Sequence, residues 1–568
     1  MKSSSNTRNR ISFLALAFLL VALLCFVRLF FIQIVKSDFY REKGDRQYLR
    51  PSTDIFNRGS IFAEKKDGSL FALAGMKTAY LITLNPRLFK DQASSTYDKL
   101  NPLIPLDPAD WLKWVNSTST YRELASKVEP DKAEAIKKLN IKGITIYKQK
   151  LRSYPFGTSA SHVVGLVGYK ESDLIGRYGL ERQYEKVLTR GSEMSFANFF
   201  VEIFSGIESS LSGKTAAAEG DIVTTIEPVT QKFFEGELMK AEDEWQGDKI
   251  GGIIIDPKTG EIIAMSAWPN FDPGNKVTDL GVLTNPLVEG VYELGSIFKP
   301  LTMAAGLDTG VVTAKTTYND TGCITLNKKK ICNYDDKARG VIPMQEVLNQ
   351  SLNCGASFVT EKLGQDRFRQ YFNAYGFNEP TGVDLPGEAT NLMKNLKSPR
   401  IVDYATASFG QGIAVTPLSL VRALSSLGNG GYLITPHIVK EIDYQNKLTQ
   451  KIEPKIGRQV IKKETSEEIS RMLATVVDSK MPKVKMERYT IAAKTGTAQI
   501  ANPANGKYYD DRYLHSFFGY FPAYNPRFLV FIFIMNPKGA QFSSETLTTP
   551  FVNTSRFLLN YYQVPPDR

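Results

Sequence analysis

The longest apolar stretch of the chain lies close to its N-terminus. Residues 11–27, ISFLALAFLLVALLCFV, contain one polar residue, Ser12, and basic residues without any acidic residue precede them. This pattern predicts a single membrane-spanning helix with its N-terminus in the cytoplasm. A cleaved signal peptide is the alternative, but no A-x-A-like site follows the stretch. We expect a cytoplasmic tail at 1–10, an anchor at 11–35, and the bulk of the chain outside the membrane.

Beyond the anchor, the pattern changes near residue 220. Residues 36–220 mix short apolar stretches with polar turns, and DKAEAIKKL at 131–139 has helical spacing. From residue 221 the apolar positions become denser, beginning with a strand and then a helix whose first turn holds Pro228. We therefore predict an elongated, mixed α/β N-terminal module at 36–220 and a second domain at 221–568.

The second domain carries the signals of an antiparallel sheet. Two hairpins are predicted, at 250–268 around the turn Asp-Pro-Lys-Thr-Gly and at 515–535 around Pro-Ala-Tyr-Asn-Pro. A further strand is predicted at 489–500. Helices lie between them, among them 416–431, where Thr416 is the expected cap. Strands at both ends with helices between them predict an α+β fold, with helices on the faces of the sheet.

Composition and charge narrow the functional classes. A chain of 568 residues is expected to form two or three domains. The net charge of +11 is spread along the chain, without a basic cluster interleaved with aromatic residues, so we expect no nucleic-acid partner. With three histidines and no paired C-x-x-C or H-E-x-x-H motif, we also expect no metal.

Four cysteines remain to be assigned. Cys25 lies in the predicted anchor, and Cys354 is interpreted as a small buried residue. Cys323 and Cys332 bracket ITLNKKKI, a hairpin-like stretch, so that a disulfide and two free thiols are both open interpretations.

The stretch VYELGSIFKPLTMAAGL, 291–307, carries the first candidate chemistry. Pro300 is tolerated only near the start of a helix, so the helix begins close to Ser296, with Lys299 on the same face. A serine hydroxyl becomes a nucleophile when a neighbour takes its proton, and a lysine can do so if its pKa is lowered. Taken alone, the pair is also compatible with a helix cap and a solvated lysine.

Two further motifs make the nucleophile interpretation stronger. NQSLNCGASF holds Ser351 and Asn353, and AAKTGTAQ holds Lys494, Thr495, Gly496 and Thr497 on a predicted strand. A second Lys-Thr-Gly, at 258–260, falls in a turn and is interpreted as turn chemistry only. The order S-x-x-K, S-x-N, K-T-G is that of penicillin-binding proteins and class A β-lactamases.

With these motifs the chain resembles a class B, monofunctional penicillin-binding protein, a peptidoglycan D,D-transpeptidase of bacteria. The resemblance extends over nearly the whole length, and the other segments that carry it are DPKTGEIIAM, TGVDLPGE (381–388), SFGQGIAVTPL (408–418), NRGSIF (57–62), RSYPFGTSASHVVGLVG (152–168) and GLERQYE (179–185). It implies a penicillin-binding transpeptidase domain on a pedestal that resembles the family's dimerisation module. Ala63 departs from the family's usual Asp, which puts the local pedestal geometry in question.

The resemblance also implies roles. Ser296 would be the nucleophile, Lys299 its base, Ser351 a proton relay and Asn353 a group that binds the donor and positions Lys299. Lys494, with the substrate-binding residues Thr495, Gly496 and Thr497, would hold the terminal carboxylate. Backbone N–H groups of Ser296 and Thr497 would form the oxyanion hole. No cofactor is implied.

The implied partners are peptidoglycan stem peptides, lipid-linked precursor glycan, β-lactams, the membrane, and a membrane glycosyltransferase of the shape, elongation, division and sporulation type.

Two alternatives share the site or the fold. A D,D-carboxypeptidase or β-lactamase would use water as acceptor, but neither needs the anchor and pedestal. A non-catalytic β-lactam sensor or scaffold would need a signalling domain, for which a tail at 1–10 has no room. The predicted location is the bacterial cytoplasmic membrane, with the catalytic domain outside.

Overall fold

The computed structural model describes residues 19–21, 28–29, 57–88, 93–119, 121–171, 173–190, 219–502, 504 and 506–568. The predicted cytoplasmic tail and nearly all of the predicted anchor lie outside these residues. Among the described residues, no helix has the length and apolar character needed to cross a membrane.

The described residues form a mixture of helices and strands. Its strands are β1 (Ile61–Glu64), β2 (Leu70–Leu84), β3 (Arg122–Val128), β4 (Ile144–Ser153), β5 (Val167–Lys170), β6 (Asp173–Gly176), β7 (Gly220–Thr224), β8 (Lys249–Ile255), β9 (Ile262–Trp268), β10 (Thr317–Asp320), β11 (Cys323–Leu326), β12 (Lys329–Cys332), β13 (Gly340–Pro343), β14 (Tyr432–Ile434), β15 (Val439–Tyr444), β16 (Thr449–Lys451), β17 (Ile456–Gln459), β18 (Ala492–Asn502), β19 (Lys507–Phe521) and β20 (Phe528–Met535). Its α-helices are α1 (Ala93–Leu100), α2 (Pro108–Val115), α3 (Pro130–Lys138), α4 (Ser161–Val164), α5 (Gly179–Gln183), α6 (Glu185–Leu188), α7 (Pro228–Trp245), α8 (Lys299–Asp308), α9 (Met344–Asn349), α10 (Asn353–Leu363), α11 (Gln365–Ala374), α12 (Ile401–Ala407), α13 (Pro417–Ser425), α14 (Lys463–Lys480), α15 (Ser543–Thr546) and α16 (Thr548–Tyr561).

The central sheet of the second domain is antiparallel and five-stranded, in the order β18-β19-β20-β8-β9. Both predicted hairpins are confirmed, as β8–β9 and β19–β20, and the predicted strand at 489–500 is confirmed as β18. The α+β expectation for this domain is therefore correct. β18 ends the sheet, so one of its two edges is left for other contacts.

Helices cover both faces of this sheet. Alternate residues of β20 point in opposite directions: Val530, Ile532 and Ile534 pack with α7 and α16, whereas Phe531 and Phe533 belong to the larger core that includes α8 and α14. All five are fully buried, so truncation of one of the isoleucines or phenylalanines to alanine is expected to cost about 2–5 kcal/mol. Both faces of the sheet are therefore buried.

A second sheet crosses the predicted boundary between the pedestal and the second domain. Its path runs β16-β15-β7-β1-β2-β3, with β4 also paired to β2. β1 pairs in parallel with β7, and β7 pairs antiparallel with β15. The boundary at residue 220 stays a prediction, but a continuous sheet joins the chain on either side of it.

A cluster of buried ion pairs lies at the pedestal end of this sheet. Arg58 donates from Nε to Glu181 Oε2 at 2.5 Å and from Nη2 to Glu185 Oε2 at 2.7 Å. Arg152 donates from Nε to the other oxygen of Glu181 at 2.6 Å. Each charge is paired, as buried ions must be. The three pedestal segments that carry the family resemblance therefore meet at one ionic cluster.

The departure at Ala63 leaves the strand intact. Ala63 is fully buried on β1, opposite Phe71 of β2 and beside Thr224 of β7. The next residue, Glu64, pairs with Lys440. In this chain, the position at which the family usually has an Asp is part of the apolar core.

Candidate active site

Ser296 lies in a tight turn between the sheet and α8. The turn Gly295–Phe298 is a 3-10 helix that runs into α8, so the helix starts three residues later than the serine. Gly295 has φ +67, and a Cβ there would stand 2.8 Å from the carbonyl oxygen of Thr497. Glycine therefore lets the turn press against the free edge of β18.

Lys299, the first residue of α8, reaches the serine. Its Nζ lies 3.0 Å from Ser296 Oγ and donates at 2.5 Å to the carbonyl oxygen of Ser351. The side chain is 1% exposed and its ammonium group lies 5.9 Å from the ring centroid of Phe409. A lysine in these surroundings is within reach of the serine proton.

Ser351 connects the two lysines of the site. Its Oγ accepts from Lys299 Nζ at 3.2 Å and from Lys494 Nζ at 2.9 Å. The residue has φ +56, in the left-handed region that is uncommon for a non-glycine residue. This conformation turns its carbonyl oxygen as well as its hydroxyl towards Lys299.

Burial makes both lysines more acidic than usual. Desolvation, and then the positive charge of Lys494, lower the pKa of Lys299 well below its ordinary value. Desolvation lowers the pKa of Lys494 to about 7. A neutral amine is thus accessible next to Ser296 without strongly alkaline conditions.

The K-T-G segment lies on β18, next to the serine turn. Gly496 has no room for a side chain, since a Cβ there would lie 2.3 Å from Ser516 Oγ and 2.8 Å from the carbonyl oxygen of Leu294. The hydroxyl of Thr497 accepts from the backbone N–H of Ser543 at 3.2 Å. Thr495 follows Lys494 on the same strand and is half-buried.

Asn353 contacts the hairpin β11–β12, and its implied binding of the donor stays a prediction. It is the first residue of α10, and its Nδ2 donates at 2.8 Å to the carbonyl oxygen of Cys332. Within residues 219–502 no hydrogen bond joins Asn353 to Lys299, which is held by Ser351 instead. Asn353 therefore fixes the hairpin β11–β12 beside the site.

The cysteine question is settled by that hairpin. Cys323 and Cys332 are directly opposite each other on β11 and β12 and form a disulfide. Cys354, one residue after Asn353, is a buried free thiol, as expected. Among the described residues, the cluster nearest to a metal-binding arrangement is these two bonded sulfurs with Asp336.

Sequence reasoning missed a second group around the serine turn. Tyr508, on β19, donates to Glu293 Oε2 at 2.8 Å, and burial raises the pKa of Glu293. Asn395 Nδ2 donates to the carbonyl oxygen of Gly412 at 2.6 Å. Glu293 could have been noticed as an acidic residue next to an apolar turn, but its partner could not.

Comparison with known proteins agrees with this geometry. Residues 250–555, more than half of the chain, match the penicillin-binding protein transpeptidase domain, and residues 56–195 match the penicillin-binding protein dimerisation domain. The chain is 31% identical over 560 residues to stage V sporulation protein D of Bacillus subtilis, covering 97% of this chain and 85% of that protein. It is also 31% identical to the probable peptidoglycan D,D-transpeptidase FtsI of Caulobacter vibrioides over 475 residues, 81% of this chain and 73% of that one.

Solved structures share the fold. Penicillin-binding protein 2X of Streptococcus thermophilus superposes with a TM-score of 0.73 at 21% identity, covering 90% of this chain and 80% of that one. Penicillin-binding protein 3 of Mycobacterium tuberculosis, in complex with ampicillin, gives 0.68 at 23% identity, covering 90% and 97%. With both family models matched and the three motifs gathered around one serine, the chain belongs to the penicillin-binding protein transpeptidase family, as a class B member.

Proposed function

We propose that this protein is a peptidoglycan D,D-transpeptidase that cross-links stem peptides through an acyl-enzyme on Ser296. The observation that carries the proposal is the 3.0 Å contact between Ser296 Oγ and Lys299 Nζ, made by a buried lysine whose pKa is lowered. The related protein from Caulobacter vibrioides is named a probable peptidoglycan D,D-transpeptidase, which supports the proposal.

The first half of the reaction is acylation. Ser296 Oγ attacks the carbonyl carbon between the two terminal D-alanines, while Lys299 takes the hydroxyl proton. The Oγ–C bond forms, the C–N bond breaks, and the proton passes to the departing amine through the hydroxyl of Ser351. That hydroxyl, in contact with both lysines, is suited to such a relay.

The negatively charged carboxylate of the substrate binds at the free edge of β18. Lys494, Thr495 and Thr497 hold the terminal carboxylate, and Gly496 lets the donor peptide approach the strand. The developing oxyanion lies between the backbone N–H groups of Ser296 and Thr497. Each such donor is worth about 3 kcal/mol of transition-state stabilisation.

The second half transfers the acyl group. The amine of a neighbouring stem peptide attacks the ester carbonyl, the new amide forms and the Ser296 Oγ–C bond breaks, while Lys299 takes the proton from the amine and returns it to Ser296 Oγ. A β-lactam has an amide and a carboxylate that can occupy the same positions and acylate the same serine. The ampicillin complex of the related Mycobacterium tuberculosis protein supports this part of the proposal.

The setting of the reaction is proposed from the sequence alone. The apolar residues of 11–35 would anchor the chain in the bacterial cytoplasmic membrane, with the pedestal and the catalytic domain outside. The substrate strands would come from lipid-linked precursor through a membrane glycosyltransferase partner of the shape, elongation, division and sporulation type.

The decisive experiment compares serine and lysine variants of the full-length protein. Ser296→Ala is expected to lose both labelling by a fluorescent penicillin and the cross-linking of donor to acceptor strands. Lys494→Ala is expected to weaken both, whereas Lys258→Ala, in the turn copy of Lys-Thr-Gly, leaves them unchanged. Labelling of Ser296→Ala would overturn the assignment of the nucleophile. Trimmed stems without cross-linked dimers would make the protein a carboxypeptidase.

A further inference from the structure

Ser516 connects the catalytic sheet to the turn that carries the nucleophile. It lies on β19, directly opposite Gly496 of β18, and is fully buried. Its Oγ donates at 2.8 Å to the carbonyl oxygen of Leu294, two residues before Ser296. The hydroxyl thus leaves its own strand and bonds to a different segment of the site.

This bond passes through the space above Gly496. A Cβ on Gly496 would lie 2.3 Å from Ser516 Oγ and 2.8 Å from Leu294 O, the two atoms that the bond joins. Contacts that short do not occur between real Cβ atoms and their neighbours, so any side chain would displace the bond. The glycine of K-T-G therefore admits the serine hydroxyl as well as the substrate.

A second pair of hydrogen bonds extends the connection to Thr497. Ser543 Oγ donates to the backbone oxygen of Ser516 at 2.7 Å, and Ser543 N donates to Thr497 Oγ1 at 3.2 Å. Ser516 is therefore the common member of contacts that end on either side of the reaction centre, at Leu294 and at Thr497. The hydroxyl of Ser516 bonds directly to Leu294, and its carbonyl oxygen is connected to Thr497 through Ser543.

We propose that Ser516 is a positioning residue that sets the distance between the two oxyanion-hole donors, the N–H groups of Ser296 and Thr497. The inference rests on the proposed function, because it assigns Ser516 to the same acylation step. Preorganised donors stabilise a transition state only if they need not move during the reaction, and a misplacement of about 1 Å can cost about 100-fold in rate. Ser516 itself touches no substrate.

The test separates the acylation rate constant, k2, from the dissociation constant K of the noncovalent penicillin complex. Ser516→Ala in the full-length protein is expected to lower k2 by about 10- to 100-fold. K is expected to stay within about twofold, since the carboxylate-binding side chains are unchanged. Ser516→Thr, which keeps the hydroxyl, is expected to recover most of the rate.

Ser466→Ala is the matched control. Ser466 is also buried, and its Oγ donates at 2.7 Å to a carbonyl oxygen, that of Leu427, on another segment. Its loss is expected to lower the unfolding temperature without lowering k2. A fall in k2 by the same factor in both variants would make Ser516 an ordinary stabilising residue and overturn the proposal.

Two other outcomes are decisive. A wild-type k2 in Ser516→Ala, or a rise in K alone, would contradict the positioning role. If Ser516→Ala does not fold, Ser543→Ala is the second variant, because it removes the hydroxyl that donates to the carbonyl oxygen of Ser516. Ser543→Ala is expected to lower k2 by a smaller factor than Ser516→Ala. An unchanged k2 in Ser543→Ala also overturns the inference. Wild-type protein that fails to acylate at Ser296 would refute the proposed function instead.

Discussion

Lys299 and Lys494 place their ammonium groups on one hydroxyl, that of Ser351, at 3.2 and 2.9 Å. Two buried positive charges that share an acceptor destabilise each other, and the charge of Lys494 contributes to the lowered pKa of Lys299. Of the two lysines, Lys299 is the one that hydrogen-bonds to Ser296 Oγ, at 3.0 Å. We therefore expect the reactive state to hold Lys299 neutral, as a base, and Lys494 charged, as the carboxylate-binding group.

Replacing the base should remove acylation without unfolding the protein. Methionine is similar in size to lysine but has no titratable group. In Lys299→Met we expect the rate of acylation by a fluorescent penicillin to fall by about 100- to 10,000-fold. Because Lys299 is 1% exposed, the unfolding temperature is expected to be unchanged or raised, since a desolvated amine is removed. Stopped-flow labelling and thermal unfolding measure the two effects. Rapid acylation of Lys299→Met at neutral pH would remove this lysine from the base role.

The pH dependence of acylation should have two limbs. The value of k2/K is expected to rise with pH as Lys299 loses its proton, and to fall above about pH 7 as Lys494 loses its charge. In Lys494→Arg the guanidinium stays charged throughout, so the alkaline limb should disappear while the acid limb remains. The measurement is k2/K from about pH 5 to pH 10 for both proteins, over the range in which these groups titrate. An alkaline limb that persists in Lys494→Arg would belong to another group.

The same lysine should make stability depend on pH. The pKa of Lys494 is about 7 in the folded protein and about 10.4 in an unfolded chain, so between these values the unfolded chain binds more protons. The free energy of unfolding therefore rises with pH in that window, by up to roughly 5 kcal/mol. Below about pH 7 the cost of burying the charged lysine is fully present.

Lys494→Met is the comparison that isolates this effect. Denaturant unfolding at about pH 7 and about pH 9.5, near the two ends of the window, should show the variant more stable than wild type at the lower pH. The difference should shrink at the higher pH, where wild-type Lys494 is neutral. A difference that does not change with pH would mean that Lys494 titrates normally in the folded protein.

Much of the fold follows from local pattern. The hairpins β8–β9 and β19–β20 are marked by apolar strands around proline-containing turns, and Thr416 caps α13 through its side chain, as predicted. The parallel pairing of β1 with β7 is different. It joins strands that are far apart in sequence, and nothing in the periodicity of either strand specifies its neighbour.

The candidate site also has features that the sequence predicts and contacts that it does not. The order of the three motifs indicates a nucleophile at Ser296 and a base at Lys299, and the spacing of these two residues places them in one local turn. The contact of Asn353 with Cys332, and that of Ser516 with Leu294, depend on how distant segments pack. Spacing in the sequence carries no information about those distances, so these two contacts become visible only in the folded chain.

The ionic cluster of the pedestal should be essential for its stability but not for the chemistry. Glu181 is fully buried and accepts from Arg58 at 2.5 Å and from Arg152 at 2.6 Å. Glu181→Ala leaves two buried guanidinium groups without their shared carboxylate, which is expected to cost about 3–5 kcal/mol. Glu134→Ala, which removes an exposed partner of Lys138, is the matched control and should change stability by less than about 0.5 kcal/mol.

The readouts for this cluster are thermal unfolding and penicillin acylation of the same samples. Glu181→Ala is expected to lower the first unfolding transition, while k2 of the molecules that remain folded stays at the wild-type value, because no side chain of the cluster contacts Ser296 or Lys299 among the described residues. If k2 falls at temperatures where the protein is folded, the sheet that joins β1 to β7 transmits the change to the active site. Equal unfolding of Glu181→Ala and Glu134→Ala would show that the buried pairing contributes no stability.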